Sequence, residues 1–245
     1  MVRNIIALIF LLSLFACNEK GKQDIESLVV KNDTFDLFYD EYDIPIPEGF
    51  SVDTIKESDK KTDYSKTLIY PRLSGTEFNR LNKVLGIEIK RKADLAYADT
   101  SDRPVDPANE VFGVTEEIIP LKMYKNENLV SYGFLNMFSD TGAIRPFRKY
   151  FTINYDTRRS KFIFFSDYFT ILSHSDSVFF KQLIFGVIGN PEEPWYSLSN
   201  NINFSIDNEN VYFYYDMFGY FGNPMGLVYR FKKKYLNKFI KDEYK

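Results

Sequence analysis

The sequence has very few of the side chains that build disulfides and soft-metal sites. Cys17 is its one cysteine and His174 its one histidine. A lone cysteine cannot form a disulfide framework, and one histidine without a thiolate cannot assemble a zinc site of the usual nitrogen and sulfur type within this chain. Ser173 and Asp176 flank His174, but catalytic triads are built from residues that the fold brings together, not from sequence neighbours. We therefore predict no metal site, no cofactor and no catalytic residue.

A large excess of either charge is also lacking. The chain carries 31 lysines and arginines against 34 aspartates and glutamates, which gives a formal net charge of −3. The basic run at residues 232 to 234 is short and is typical of a solvated helix face. This balance predicts no nucleic-acid partner. By contrast, apolar residues make up 44% of the 245 positions and aromatic residues 18%, which predicts a folded body with a substantial core.

The N-terminus has the three-part plan of a secretory signal. A positive charge at Arg3 precedes an apolar run over residues 5 to 15, which is too short to remain in a bilayer as a spanning helix. The following Leu14-Phe15-Ala16-Cys17 resembles a bacterial lipobox, in which the cysteine sulfur receives a diacylglyceryl group and the peptide is cut before the cysteine. The resemblance implies a signal peptide over residues 1 to 16, lipidation of Cys17, and an extracytoplasmic body anchored to the membrane by its N-terminal lipid.

The mature chain divides into a lipidated tether over residues 17 to 62, an N-terminal block over 63 to 140 and a C-terminal block over 141 to 245. In the first block, residues 67 to 70 predict a strand that ends at Pro71, and Ser74 and Glu77 have capping-box spacing. Apolar residues recur three or four positions apart after this box and predict one long amphipathic helix. These residues are Phe78, Leu81, Leu85, Ile89, Ala93 and Ala96. Residues 117 to 124 and 129 to 138 then predict a strand pair.

The C-terminal block shows the same mixture of paired strands and single helices. Residues 150 to 155 and 161 to 165 predict a second strand pair, and the latter run should be central in its sheet because it is apolar on both faces. A helical turn at 166 to 169 and a helix over 176 to 188 follow. A hairpin over 202 to 215, a third apolar run at 227 to 229 and a lysine-rich helix from about Phe231 complete the chain. The fold class predicted is α+β, with antiparallel sheets and packed helices forming two blocks in one compact body.

A glycine-punctuated loop over residues 216 to 226 contains several aromatic side chains. Together with Tyr212 and Tyr214, these rings either offer flat faces to a sugar or a protein partner, or pack in the core and at its rim. The candidate ligand-binding residues on this loop and at its start are Tyr215, Asp216, Phe218, Tyr220 and Phe221.

Several short motifs resemble two companion domains of bacterial envelope proteins. Tyr70-Pro71, Leu73-Ser74-Gly75 and Leu81-Asn82 are similar to the small domain that precedes the catalytic domain of certain peptidoglycan deacetylases. Residues 151 to 156, 165 to 169, 203 to 204 and 215 to 220 are similar to its companion, which is also found in the ectodomain of a lysozyme-sensing anti-sigma factor. In this chain Ile144 stands where the family tends to carry a histidine, and Asp216 where it commonly carries a glutamate.

The resemblance implies an envelope-facing, non-catalytic binding or sensing module whose ligand is lysozyme or a cell-wall glycan. Two alternatives stay open. A glycan-active enzyme could use Asp216 and Asp167 as paired carboxylates, although a helix cap for Asp167 and a loop anchor for Asp216 are the simpler roles. A structural lipoprotein in an envelope assembly is the other alternative.

Overall fold

The computed structural model describes residues 46–60, 64–98, 114–140, 147–185, 202–215 and 227–245. The strands of the first sheet are β1 (Phe50–Asp59), β2 (Tyr64–Leu73), β3 (Val114–Lys125), β4 (Leu129–Asp140), β5 (Phe147–Asp156) and β6 (Lys161–Phe162). The strands of the second are β7 (Asn203–Ile206), β8 (Asn210–Tyr215) and β9 (Leu227–Lys232). The helices are α1 (Asn79–Ala98), α2 (Phe165–Tyr168), α3 (His174–Phe185) and α4 (Lys233–Leu236). None of the helices within these ranges has the length and apolar character needed to cross a membrane.

The large sheet has its six strands in sequence order, β1 to β6. All neighbours are antiparallel except β2 and β3, which are parallel because α1 carries the chain back between them. The predicted α+β class is confirmed, and so is the pairing of residues 117 to 124 with 129 to 138. The two predicted blocks meet within this sheet, since β4 and β5 are paired neighbours on either side of residues 140 and 141.

Helix α1 packs its predicted apolar stripe against one face of the large sheet. Leu85, Ile89 and Ala93 are buried there against sheet residues such as Leu68 and Ile118. The predicted capping box at the start of this helix is wrong. The chain enters through a short 3-10 turn, Thr76–Phe78, whose N-cap is Gly75 at φ 114° with no side-chain cap. A glycine holds that backbone conformation without strain, so no hydroxyl from Ser74 is needed to start the turn.

The small sheet meets the large one through its edge strand β7. The Ser131 hydroxyl accepts the Ile206 N–H at 2.8 Å and the Thr152 hydroxyl accepts the Phe204 N–H at 3.2 Å. The Asn154 amide in turn donates to the Phe204 carbonyl at 2.8 Å. Side chains of β4 and β5 therefore form hydrogen bonds with main-chain groups at the edge of β7, which would otherwise be buried without partners.

Strand β8 is buried on both faces, which the alternation in its sequence does not predict. Val211 and Phe213 lie in a cluster with α2 and α3. Tyr212 and Tyr214 lie in another cluster with Ile119, Leu135 and Tyr150 of the large sheet. Of the two readings of the aromatic residues, core packing is therefore the correct one for Tyr212 and Tyr214.

Two predicted strand boundaries are wrong. Strand β2 continues through Pro71, which is tolerated because β3 pairs with β2 only as far as Leu68 and the proline needs no partner on that side.

Residues 161 to 165 do not form a central strand. Strand β6 has only two residues and lies at the end of the sheet. The run is apolar on both faces because Phe162 belongs to the cluster of α1, while Ile163 and Phe165, the first residue of α2, belong to the cluster that includes Phe180 of α3. The predicted terminal helix is one turn, α4, since Phe231 still belongs to β9.

Candidate functional site

The aromatic loop predicted as a ligand site falls outside the described residues. Tyr215 ends β8, but no side chain is described for it. The other candidates lie beyond it in the part of the chain that is not described: Asp216, Phe218, Tyr220 and Phe221. Cys17 also lies outside the described residues. The ligand-binding role of the loop and the lipidation of Cys17 therefore stay predictions.

The Asp167 carboxylate is engaged in capping α2. It accepts the Phe164 N–H at 3.0 Å and a hydrogen bond from the Lys161 ammonium at 3.0 Å. Partial burial opposes ionisation, but these two hydrogen bonds outweigh it and hold the pKa of Asp167 below its ordinary value. The predicted capping role is confirmed. A proton donor for glycosidic cleavage needs a raised pKa, which is the opposite shift.

The residues around His174 form the N-terminus of α3. The Ser173 hydroxyl donates to the Asp176 carboxylate at 2.8 Å and accepts the Asp176 N–H at 3.0 Å, which caps α3. His174 is exposed at the first position of this helix. Within the residues that the structure describes, no three histidine, cysteine, aspartate or glutamate side chains are grouped to hold a metal ion.

A groove of about 570 Å³ runs along the outer edge of β5. Among the described strands only β6 lies beside this edge, and β6 pairs only with Tyr155 and Asp156. The earlier part of β5 therefore faces the groove. Helix α1 forms one wall, and the residues at and before β7 form the other. The side chains that give the groove its chemistry are Glu88, Arg91, Lys92, Leu95, Lys149, Phe164, Ile202 and Asn203.

Lys92 lines this groove from α1 and contacts the strand edge. Its ammonium donates a hydrogen bond of 2.8 Å to the main-chain carbonyl of Thr152. Burial lowers the pKa of Lys92, and the nearby Arg91 lowers it further, while Glu88 acts in the opposite direction. No carboxylate lies within ion-pair distance of Lys92 among the described residues. A partly desolvated cation without a carboxylate partner is a group that an anionic ligand would stabilise.

The other charges of the groove are arranged around Lys92. Arg91 and Glu88 neutralise each other, with the guanidinium bound to both carboxylate oxygens, at 2.7 Å and 2.5 Å. This contact lowers the pKa of Glu88, so the carboxylate remains ionised and paired. Lys149 enters the groove from β5 and is almost completely buried. Among these charges, Arg91 and Glu88 form a pair, and Lys92 is the cation without a described carboxylate partner whose ammonium contacts the strand edge.

Exposed apolar side chains border the same groove. Leu95 on α1 is 55% exposed and Phe164 before α2 is 46% exposed. Large apolar side chains at this level of exposure are ordinary when they are scattered. Here both border one concave surface that also holds Lys92. The groove can therefore bind a ligand that has both anionic and apolar groups.

A second groove, of about 630 Å³, lies on the opposite side of α1, toward β2. Two of its cations already have partners: Arg72 binds Asp53 at 2.9 Å, and Lys90 binds Glu57 at 3.2 Å. A third cation, Lys83, is exposed to solvent. The groove beside β5 is the stronger candidate because its Lys92 is partly buried and has no carboxylate partner among the described residues.

One feature of the sequence that relates to the groove is a run of three basic residues on α1, which a search for apolar periodicity does not detect. Lys90, Arg91 and Lys92 are consecutive on α1, and successive helix positions differ by about 100° in direction. Lys90 therefore reaches Glu57, while Lys92 turns toward the sheet and reaches Thr152. Helical spacing alone does not show which of the three side chains reaches the outer edge of β5.

No protein-family model matches the chain, and no curated protein matches it. Solved structures that are similar to it include two from bacteria. One is a DUF3298 family protein from Pseudomonas aeruginosa, with 14% identity, a TM-score of 0.48, and coverage of 82% of this chain and 96% of that chain. The other is a member of the DUF3298 family from Bacteroides fragilis, with 13% identity, a TM-score of 0.47, and coverage of 79% of this chain and 93% of that chain.

Proposed function

We propose that this chain is a lipid-anchored, extracytoplasmic binding module without catalytic activity, and that it binds a carboxylate-bearing envelope component in the groove beside β5. The observation that carries the binding proposal is the contact of Lys92 with the Thr152 carbonyl inside that groove. The charge that burial disfavours there would gain a partner from a bound carboxylate.

Of the two envelope ligands considered from the sequence, the groove favours cell-wall material over lysozyme. Peptidoglycan carries carboxylates on its peptide stems, which complement the cations that line the groove, and Lys92 in particular, since it has no described carboxylate partner. A basic protein such as lysozyme would bring like charges against these cations, which is unfavourable. Lysozyme could still bind elsewhere, for example through the aromatic loop, and the same calorimetric experiment with lysozyme as the titrant measures that binding separately.

Binding is best measured by calorimetry with soluble peptidoglycan fragments and the full-length lipidated protein in detergent. We expect fragments with free carboxylates to bind and the same fragments with amidated carboxylates to bind at least about tenfold more weakly. Lys92→Gln should weaken binding similarly. Lys83→Gln is the matched control, since Lys83 is an exposed lysine of the same helix that lines the other groove. Equal binding by the Lys92 and Lys83 variants, or no binding of any fragment, would overturn the proposal.

The proposed membrane anchoring depends on lipidation of Cys17 and is tested by a separate experiment. In the native host the protein should fractionate with membranes, and its N-terminal peptide should carry the mass of a diacylglyceryl-modified Cys17. Cys17→Ser should block this modification and processing before residue 17. An unmodified cysteine in the membrane-bound protein would remove the lipid anchor from the proposal.

A further inference from the structure

The outer edge of β5 presents carbonyl groups at a spacing that suits an extended peptide. The carbonyls of Tyr150 and Thr152 both point into the groove, where they accept hydrogen bonds from the side chains of Asn203 and Lys92, at 3.0 Å and 2.8 Å. At Asn154 the same position on the edge is taken by a main-chain donor, the N–H of Ile163, at 2.8 Å. The side chains of Asn203 and Lys92 therefore occupy the positions that a main-chain donor, the N–H of Ile163, occupies further along the strand.

This row of carbonyls repeats every second residue. The repeat equals roughly 6.6 Å along a strand, which is the distance between N–H groups on one side of an extended peptide. A glycan backbone has no donor with that repeat. Because Ile163 occupies the edge at Asn154, the remaining stretch from Lys149 to Ile153 spans roughly 13 Å, the length of an extended segment of about five residues.

The walls of the groove specify which side chains the segment would carry. Alternate side chains of an added strand would point to opposite faces of the sheet. One set would face α1, where Arg91, Lys92 and Lys149 lie; the other set would face Ile202 and Phe204, in and just before β7. Acidic side chains suit the first set, and apolar side chains suit the second.

We infer that the groove binds an extended peptide with alternating acidic and apolar side chains, which adds to the large sheet as a strand beside β5. Main-chain N–H groups of the peptide replace Asn203 and Lys92 at the carbonyls of Tyr150 and Thr152. The ammonium of Lys92 then turns to a carboxylate of the peptide. Until a peptide binds, Lys92 occupies the Thr152 carbonyl and keeps it from pairing with another chain. This inference rests on the proposed use of the groove for a carboxylate-bearing ligand.

The probe is the capped pentapeptide Glu-Val-Glu-Val-Glu, tested by calorimetry with the full-length lipidated protein in detergent. Two further versions carry N-methyl groups on the amides of either the glutamates or the valines. In a strand, the N–H groups of alternate residues point to opposite sides, so one version loses the donors that face β5 and the other keeps them. We expect the parent and one methylated version to bind, and the other to bind at least about tenfold more weakly.

Controls separate strand addition from simple anion binding. Replacing glutamate by glutamine in the peptide should weaken binding, and so should Lys92→Gln in the protein, while Lys83→Gln should have no effect. Equal binding of both methylated versions would overturn strand addition. If peptidoglycan fragments bind through Lys92 and the parent peptide does not, this inference is wrong and the proposed function stands. If the peptide binds as expected and no envelope fragment does, the proposed cell-wall ligand is wrong and the peptide site stands.

Discussion

The ammonium of Lys92 on α1 and the carbonyl of Thr152 on β5 are joined by a hydrogen bond of 2.8 Å. This contact ties the helix to the outer edge of β5, and it places a cation where burial lowers its pKa. A lysine whose folded pKa lies below its unfolded value of about 10.4 binds its proton more weakly in the folded state. Its contribution to the free energy of unfolding therefore rises as pH increases from the folded pKa toward about 10.4.

The first prediction concerns this pH dependence. Lys92→Met keeps most of the apolar stem and removes the titrating charge, so the variant should be less stabilised by increasing pH than the wild type. Urea denaturation of both proteins between pH 7 and pH 10 measures the difference, with Lys83→Met as the control because Lys83 is exposed. We expect the Lys83 variant to follow the wild-type profile. If the Lys92 variant also follows it, the lowered pKa is wrong.

The second prediction uses the same substitution at two glycines. A Cβ at Gly133 on β4 would overlap the hydroxyl and the ring of Tyr214, which lies directly over it. Gly133→Ala should therefore lower the free energy of unfolding by about 1–3 kcal/mol through overpacking. A methyl group added at Gly86, inside α1, would meet no atom within 4 Å beyond its own stretch of helix, so Gly86→Ala should raise that free energy by about 0.5–1 kcal/mol. Chemical denaturation measures both, and the same sign for the two variants would contradict the packing at Tyr214.

Residues with strong local periodicity were predictable from the sequence. Leu85, Ile89 and Ala93 recur at helical spacing, and the structure buries all three on one face of α1. The hairpin of β7 and β8 was predictable because alternating residues flank a polar turn at Asp207. These features depend on interactions within a short stretch of chain, which sequence patterns record directly.

Features that depend on distant contacts were not predictable. Phe162 and Phe165 pack in two separate hydrophobic clusters. In the sequence they form one continuous apolar run, and such a run predicts a central strand. The site at Lys92 depends on Thr152, which is 60 residues away in sequence. Nothing near Lys92 in the sequence indicates that β6 is too short to cover the edge that Lys92 reaches.

The third prediction concerns a buried charge beneath the C-terminal part of α1. Glu116 on β3 is completely buried; it accepts hydrogen bonds from the Tyr64 hydroxyl at 2.5 Å and the Asn136 amide at 2.7 Å. The ammonium of Lys66 lies 3.5 Å from the same carboxylate and 2.9 Å from Asp94 of α1. This network joins three strands to the helix.

Removing only the charge of Glu116 should be costly. Glu116→Gln leaves the nearly buried Lys66 with Asp94 as its remaining described carboxylate partner, and should lower the free energy of unfolding by about 3 kcal/mol. The pair Glu116→Leu with Lys66→Met removes both buried charges, and should cost less than the sum of the two single changes. A double-mutant cycle by urea denaturation measures this coupling. Strict additivity would contradict a direct interaction between the two residues.

The fourth prediction concerns the turn between β7 and β8, where Asp207 binds Lys122 of the large sheet at 2.9 Å. Burial opposes ionisation of Asp207, but hydrogen bonds from Tyr212, Lys122 and the Glu209 main chain outweigh it and lower its pKa from 3.8 to about 2. The resulting stabilisation is present above about pH 4 and is lost as pH falls toward 2. Asp207→Asn should therefore lower the free energy of unfolding by about 2 kcal/mol at pH 7 and by clearly less at about pH 2.5. Urea denaturation at both pH values measures this, with Glu209→Gln, at an exposed carboxylate of the same turn, as the control. An equal loss at both pH values would show that the charge of Asp207 does not hold the two sheets together.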